Sequence, residues 1–212
     1  MKVGLTCVDL FSGLGGFSQA MVDRGWKVVR VDNDPKFDPD ICGDMRDLTA
    51  DDFPDKVDLL VASPPCECFS VASIAAHWTN HVPDRNTLDA IGLVFFTKFL
   101  IERIGPRFWV LENPRGMLRR VIGPPKVTTY WASWGEPFYK PTDLWGELPP
   151  MEWPEPRGWI KAPRGSKDTV QNPDLSQAER AKIPYKLSEA LAVAVERTTL
   201  DYFARTEATA HE

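Results

Sequence analysis

LTCVDLFSGLGG, residues 5–16, decides the reading of the chain. Its first seven residues, LTCVDLF, read as a strand. Three glycines within the next five positions (Gly13, Gly15, Gly16) make a turn, and a 3.6-residue period over 16–24 predicts a helix. A strand that feeds a helix through a glycine turn is the opening unit of an α/β sheet.

The pattern repeats outward from that unit. KVVRV (27–31) is a β-branched strand ending at Asp32, and KVDLLVAS (56–63) is a buried run closed by Pro64 and Pro65. TLDAIGLVFFTKFLIERI (87–104) predicts an amphipathic helix stopped by Gly105 and Pro106, and RFWVLEN (107–113) a further buried strand. The expected architecture is α/β, a mostly parallel sheet flanked by helices. After Pro114 the composition shifts. Residues 114–165 hold more than half of the 19 prolines and five of the eight tryptophans. Such density predicts a compact loop-rich insert without long helices or central strands, its tryptophans mostly replacing missing secondary structure in the core. Helical patterning returns over 175–204, with Ser176 and Glu179 spaced as a capping box. The expected organisation is an α/β unit over 1–114, a short recognition segment over 115–170 and a helical return over 171–212.

Composition excludes several classes. At 212 residues with 43% hydrophobic and 26% charged, the chain has the balance of a folded domain rather than a disordered one. No apolar run approaches the ~20 residues of a membrane helix, and the first residues read as a strand rather than a leader, so a cytoplasmic protein is expected. The four cysteines (Cys7, Cys42, Cys66, Cys68) contain no CxxC pair, and with three histidines they show no metal-ligand spacing. The net charge of −5 hides one positive island, residues 113–170, where a polyanion could dock.

Three stretches carry chemistry. Phe11–Gly16 lets a ligand approach the backbone closely at a helix N-terminus, or is merely a tight connection. Ser18 stands where a dinucleotide fingerprint needs its third glycine, which disfavours nicotinamide cofactors. Asp32, at a strand end about 20 positions on, suits ribose hydroxyls or is a solvated carboxylate; Asp44 in CGDM (42–45) is another candidate contact. SPPCECFS (63–70) presents Cys66 on a rigid edge at the carboxyl end of a sheet strand, either as a nucleophilic thiolate or as a small buried hydrophobe. LENP (111–114) closes a hydrophobic strand with Glu112, whose burial would raise its pKa toward proton donation unless a salt bridge holds it.

In order, FSGLGG, an acidic strand end, GlyAsp, ProProCys and GluAsn resemble the motifs of the DNA cytosine-5 methyltransferases. DRNTL (84–88) is similar to the family's arginine after the catalytic loop, and LSQAERAKIP (175–184) to its ninth motif. The resemblance covers most of the chain. It implies a Rossmann-like fold and transfer of a methyl group from S-adenosylmethionine, leaving S-adenosylhomocysteine, to C5 of a cytosine flipped out of double-stranded DNA. It further implies that Cys66 adds to C6 while Glu112 protonates N3. Phe11, Ser12, Gly13, Leu14, Gly15, Gly16, Asp32, Asn33, Asp44, Met45 and Pro65 would line the cofactor site, with Asp32 and Asn33 competing for the ribose.

The chain departs from the family at Glu67, where glutamine is usual, at Pro114, and in lacking a Gln-x-Arg-x-Arg motif; Lys140 is the best cation in that region. The tenth motif's GlyAsn is also missing, with Leu187–Ser188 nearby. Ser70, Arg85, Arg115, Arg119, Arg120, Lys126, Arg157 and Arg164 are the expected nucleic-acid contacts. His77, Trp78 and His81 lie in the loop after Cys66. So short a reader implies a target of about two to four base pairs. A monomeric, metal-free enzyme is expected, encoded by a bacterial host or a phage. The alternatives are a tRNA or RNA cytosine-5 methyltransferase, or a non-catalytic DNA-binding protein of the same fold.

Overall fold

The computed structural model describes residues 4–71, 73–137, 139–155 and 175–209. β1 (Thr6–Leu10) alternates its side chains between two apolar layers, Cys7 in one and Val8 and Leu10 in the other. The chain turns through Phe11–Gly16 into a short helix, α1 (Gln19–Asp23), and returns as β2 (Lys27–Asp32). β3 is the two-residue Ile41–Cys42, and β4 (Leu59–Ala62) is buried throughout. The segment after Cys66 forms α2 (Ile74–His77) and a hairpin of β5 (Trp78–Thr79) and β6 (Val82–Pro83). α3 (Arg85–Ile104), β7 (Phe108–Pro114), α4 (Leu118–Ile122), β8 (Val127–Tyr130), β9 (Pro141–Glu147), α5 (Gln177–Ala181) and α6 (Tyr185–Thr209) follow.

Seven strands make one sheet in the order β3-β2-β1-β4-β7-β9-β8. The first five are parallel, while β9 runs antiparallel between β7 and β8. Helices cover both faces, giving the expected Rossmann-like fold. One layer holds Phe17 from the turn before α1, Met21 from α1, Leu187 and Leu191 from α6, and Trp131 from the turn between β8 and β9. The other holds Val8, Leu10, Leu60, Leu100 and Ile101 against α3. Each fully buried leucine contributes roughly 1.5–3 kcal/mol of apolar transfer free energy, which explains why these runs are interior.

Local signals set the helix ends. The Asp84 carboxylate accepts from the Thr87 N–H (2.7 Å) to start α3, and Gly105 ends it in the left-handed region at φ 64°. Ser176 and Glu179 form the anticipated capping box: Glu179 N–H donates to Ser176 Oγ (3.2 Å) and Ser176 N–H to Glu179 Oε2 (2.7 Å). The expected helix over 16–24 is shorter, beginning only at Gln19. Gly16 stays outside it because residues 182–183 pass against it. A Cβ at position 16 would lie 2.6 Å from Lys182 Cγ and 2.9 Å from Ile183 N.

The reading of 115–170 as one loop-rich segment needs correction. Residues 127–130 and 141–147 are strands of the main sheet, and β9 is an internal one. Prolines do not prevent this, because Pro141 and Pro114 occupy the first position of β9 and the last of β7. Pro141 spends its carbonyl on the Arg115 N–H (3.0 Å). The tryptophans do serve the core: Trp131, Trp134 and Trp145 are buried, and Trp153 packs edge-on against Trp134. Trp159 lies outside the described residues.

The chain steps from β1 outward to β2 and β3, then crosses back to β4 and β7 on the other side. That reversal opens a crevice beyond the carboxyl ends of β1 and β4, where open α/β sheets bind ligands.

Candidate active site

A cavity of ≈ 360 Å³ occupies the crevice. One end is the turn after β1. Phe11, Ser12, Gly13, Leu14 and Gly16 line it, joined by Asp32 and Asn33 from the end of β2. Asp32 braces the turn: its Oδ2 accepts from the Gly13 N–H (2.8 Å) and its Oδ1 from the Asp34 N–H (2.9 Å). Arg30 adds a bond from Nη2 to the Gly13 carbonyl (2.9 Å). Phe11 is held at φ 60°, a conformation that costs a non-glycine residue of order 1–3 kcal/mol and is typical of functional turns.

The other end follows β4 and β7. Ser63, Pro64, Pro65, Cys66 and Glu67 line it beside Glu112, Pro114 and Lys140. Asn113, fully buried, donates from Nδ2 to the Pro64 carbonyl (2.9 Å) and so ties the ProProCys turn to β7. Burial pushes the Glu112 carboxyl up to about 7, and Asp143 adds to the rise; Lys140 and the facing Ser63 hydroxyl oppose it. Burial likewise pushes the Cys66 thiol up, with Glu112 adding and Lys140 opposing. Lys140 is lowered by its own burial against the pull of Glu112 and Cys66. Its ammonium donates to the Arg180 carbonyl (2.9 Å) and sits 3.5 Å from the centroid of the Trp131 ring. A thiol, a carboxyl and an amine thus share one electrostatic neighbourhood, and the carboxyl is the group set to exchange a proton near neutral pH.

The wall is completed by residues far along the chain. Ala178 and Ala181 of α5, with Lys182 and Ile183, close the cavity opposite the sheet. Ser188, in α6, accepts from the Ala20 N–H (3.2 Å) and donates to the Phe17 carbonyl (2.7 Å), fixing that wall to α1.

Not every expected residue reaches the cavity. Gly15 packs against the Arg30 side chain. Asp44 is exposed and accepts from the Arg46 N–H (2.9 Å), while Met45 is buried in the layer under α3. β3 ends at Cys42, and the tight turn that follows keeps both residues off the cavity wall. Conversely, Asp9 lines the cavity, 1% exposed, accepts from Ser18 Oγ (2.6 Å) and is pushed up to about 7 by burial. The signal for it was a lone acid within a strand's apolar run.

The basic residues divide. Arg85, Arg115, Arg120 and Lys126 are exposed. Arg120 Nη1 lies 3.0 Å from His81 Nδ1. Ser70 bonds Ser73 (2.8 Å) and bridges to Gly116, where a Cβ would overlap the Phe69 carbonyl, so the loop after Cys66 rests on the start of α4. His77 pairs with Asp84 (3.0 Å), and Trp78 donates to the Cys68 carbonyl (2.7 Å). Arg119 corrects the expectation of a DNA contact. Both ends of its guanidinium donate to the fully buried Asp143 (2.5 Å each), and Nη2 also to Thr128 (2.7 Å). Withdrawing it would strand a buried carboxylate. Arg157 and Arg164 lie outside the described residues. Among the described residues, no cluster of three or more His, Cys, Asp or Glu could hold a metal ion, and no helix is long and apolar enough to cross a membrane.

With the cavity defined, its relatives can be placed. The sequence pattern of the C-5 cytosine-specific DNA methylases matches residues 5–124, more than half of the chain, and the protein belongs to that family. The type II methyltransferase M.NgoPII of Neisseria gonorrhoeae is 29% identical over 124 residues, and M.HpaII of Haemophilus parainfluenzae 30% over 128; they align with 52% and 55% of this chain. A probable DNA (cytosine-5)-methyltransferase of Frog virus 3 is 30% identical over 153 residues, 66% of this chain and 70% of the viral protein. The chain spans only 33% of the length of each bacterial relative. Among solved structures, a methyltransferase of Entamoeba histolytica superposes with a TM-score of 0.50 at 11% identity, over 71% of this chain and 55% of that one, a likeness of fold.

Proposed function

We propose that the protein transfers a methyl group from S-adenosylmethionine to C5 of cytosine in double-stranded DNA, with a covalent bond to Cys66 during the reaction. The observation that carries this reading is the meeting of Cys66, Glu112 and Lys140 at one end of a single cavity whose other end is the Asp32-braced glycine turn.

The glycine-turn end suits the cofactor. Gly13 and Gly16 keep the turn free of side chains, Asp32 and Asn33 present ribose partners, and the buried Ser12 hydroxyl has no hydrogen-bond partner among the described residues. When bound, S-adenosylmethionine supplies an electrophilic methyl group on a sulfonium. The residues do the rest. Cys66 gives up its proton to solvent and its sulfur bonds to C6 of an extruded cytosine. Glu112 donates a proton to N3, so the pair of electrons from the C5–C6 bond is available at C5. Lys140 offsets the thiolate's charge at the moment of attack. After methylation, the C5 proton passes to solvent, the C5–C6 double bond re-forms as Cys66 is expelled, and N3 returns its proton to Glu112. The short stretches outside the sheet supply few base contacts, consistent with a target of about two to four base pairs.

Incubation with methyl-labelled S-adenosylmethionine and duplex DNA, followed by nucleoside analysis, tests this reading. The expected result is label in 5-methyldeoxycytidine, absent in Cys66→Ala. Label in tRNA alone would transfer the activity to RNA, and no label in either would overturn it.

A further inference from the structure

Two buried polar atoms face each other at the catalytic end without a partner. Ser63 Oγ and Glu112 Oε1 are both inaccessible, and neither closes a hydrogen bond of normal geometry among the described residues, although the Ser63 hydroxyl is near enough to favour the ionised Glu112 carboxyl. Their placement follows from the sheet. β4 and β7 pair in parallel with Ala62 opposite Leu111, so the next step of that register sets Ser63 opposite Glu112. Cross-strand neighbours project to the same face, and here that face is the cavity wall, which both residues line. Ser63 cannot drift, since its N–H donates to the Leu10 carbonyl (3.1 Å) and Pro64 follows it. A buried hydroxyl and a buried carboxyl left unpaired at this spacing are each costly, and catalytic bonds of this kind often tighten only when substrate arrives.

We propose that Ser63 is a positioning residue for Glu112, its hydroxyl donating to the carboxyl as the site closes on a base. The inference rests on the methyl-transfer reading above and adds a second layer to it. The bond aims the carboxyl at the base and, more usefully, stabilises the carboxylate that remains after the proton has gone to N3. Other charged groups also act on Glu112. Lys140, before β9, favours its ionised form; Asp143, on β9 beside it, disfavours that form and is itself offset by Arg119; Cys66 is coupled to it across the turn. Ser63 is the neutral donor in this set.

The test replaces Ser63→Ala and Ser63→Thr in the full chain labelled with [5-13C]glutamate, the Glu112 signal being assigned by its loss in Glu112→Gln. The expected result is a carboxyl titration midpoint raised in Ser63→Ala by roughly half to one pH unit and restored in Ser63→Thr. In parallel, kcat for methyl transfer falls about tenfold in Ser63→Ala with the KM for S-adenosylmethionine unchanged, and the alkaline limb of the pH profile moves up with the midpoint. An identical midpoint in wild type and Ser63→Ala overturns the proposal, whatever the activities. A shifted midpoint in a protein that methylates no DNA supports the Ser63–Glu112 bond and overturns the function proposed above, so the two failures are distinguishable.

Discussion

The two ends of the cavity are built on opposite plans. At the glycine-turn end charged side chains brace the backbone: Asp32 holds Gly13 and Asp34, and Arg30 holds Gly13 and Phe37, while Ser12 Oγ and Arg30 Nε are the buried atoms left unpaired there among the described residues. At the catalytic end Ser63 Oγ, Glu112 Oε1 and Asn113 Oδ1 are buried and unpaired among the described residues, and Glu112, Cys66 and Lys140 all have displaced pKa values. A rigid, neutralised rim is suited to holding a constant ligand. A buried, under-satisfied centre is suited to changing protonation during a reaction. Backbone bracing is concentrated at one end and displaced pKa values at the other.

The largest break in that contrast is Cys66→Ala, expected to lower methyl transfer by roughly four orders of magnitude or more while leaving cofactor binding intact by calorimetry. Glu112→Gln follows, with a loss of about 10²–10⁴-fold in kcat. Its effect on stability has the opposite sign. The Glu112 pKa is raised in the folded state to about 7, so folding takes up a proton between the ordinary carboxyl range and neutrality, and stability falls as pH rises through that window. Glu112→Gln should therefore raise Tm at pH 8 and have little effect on it at pH 4; an equal shift at both values would remove the electrostatic account. In the wild type the rate should fall above about pH 7 as the donor is lost.

Arg119→Ala tests whether the positive island is a DNA surface or a structural support. Leaving Asp143 buried and unpaired should cost about 3 kcal/mol, read as a lower midpoint in denaturant, with no more loss of DNA affinity than that destabilisation causes. Arg120→Ala, by contrast, should weaken DNA binding and flatten its salt dependence without affecting the denaturation midpoint. Asp32→Asn is the smallest expected effect: KM for S-adenosylmethionine up roughly tenfold, the value of one charge-assisted hydrogen bond, with kcat nearly constant. A large fall in kcat would mean that the braced end also takes part in chemistry.

Strand-end chemistry was legible before the fold because parallel strands are continuous apolar runs, and what interrupts or ends them stands out. Cys66 and Glu112 were visible for that reason, while Gly105 and the Ser176–Glu179 box were visible as helix-end signals. β8 and β9 were hidden because VTTY and PTDLWGE are short, half polar and crowded by proline, and their burial depends on partners elsewhere in the chain. Arg119 was misassigned for the same cause. Its partner Asp143 lies 24 residues away on a strand that periodicity does not reveal, so it counted only as a cation. Asp44 and Met45 were placed by motif order, which fixes sequence position but not the path of a two-residue strand and its turn. Asp9 escaped notice inside the stretch that was read first.

The closing wall has a consequence for how the molecule is made. Ser188 reaches back to Phe17 and Ala20, and Ile183 lies against Gly16, contacts separated by nearly the whole described chain. A nascent polypeptide emerging from the ribosome can assemble β1, β2 and β4 early, yet its ligand chamber stays roofless until α5 and α6 have left the exit tunnel. Competence to bind is thereby deferred until α6 has been made.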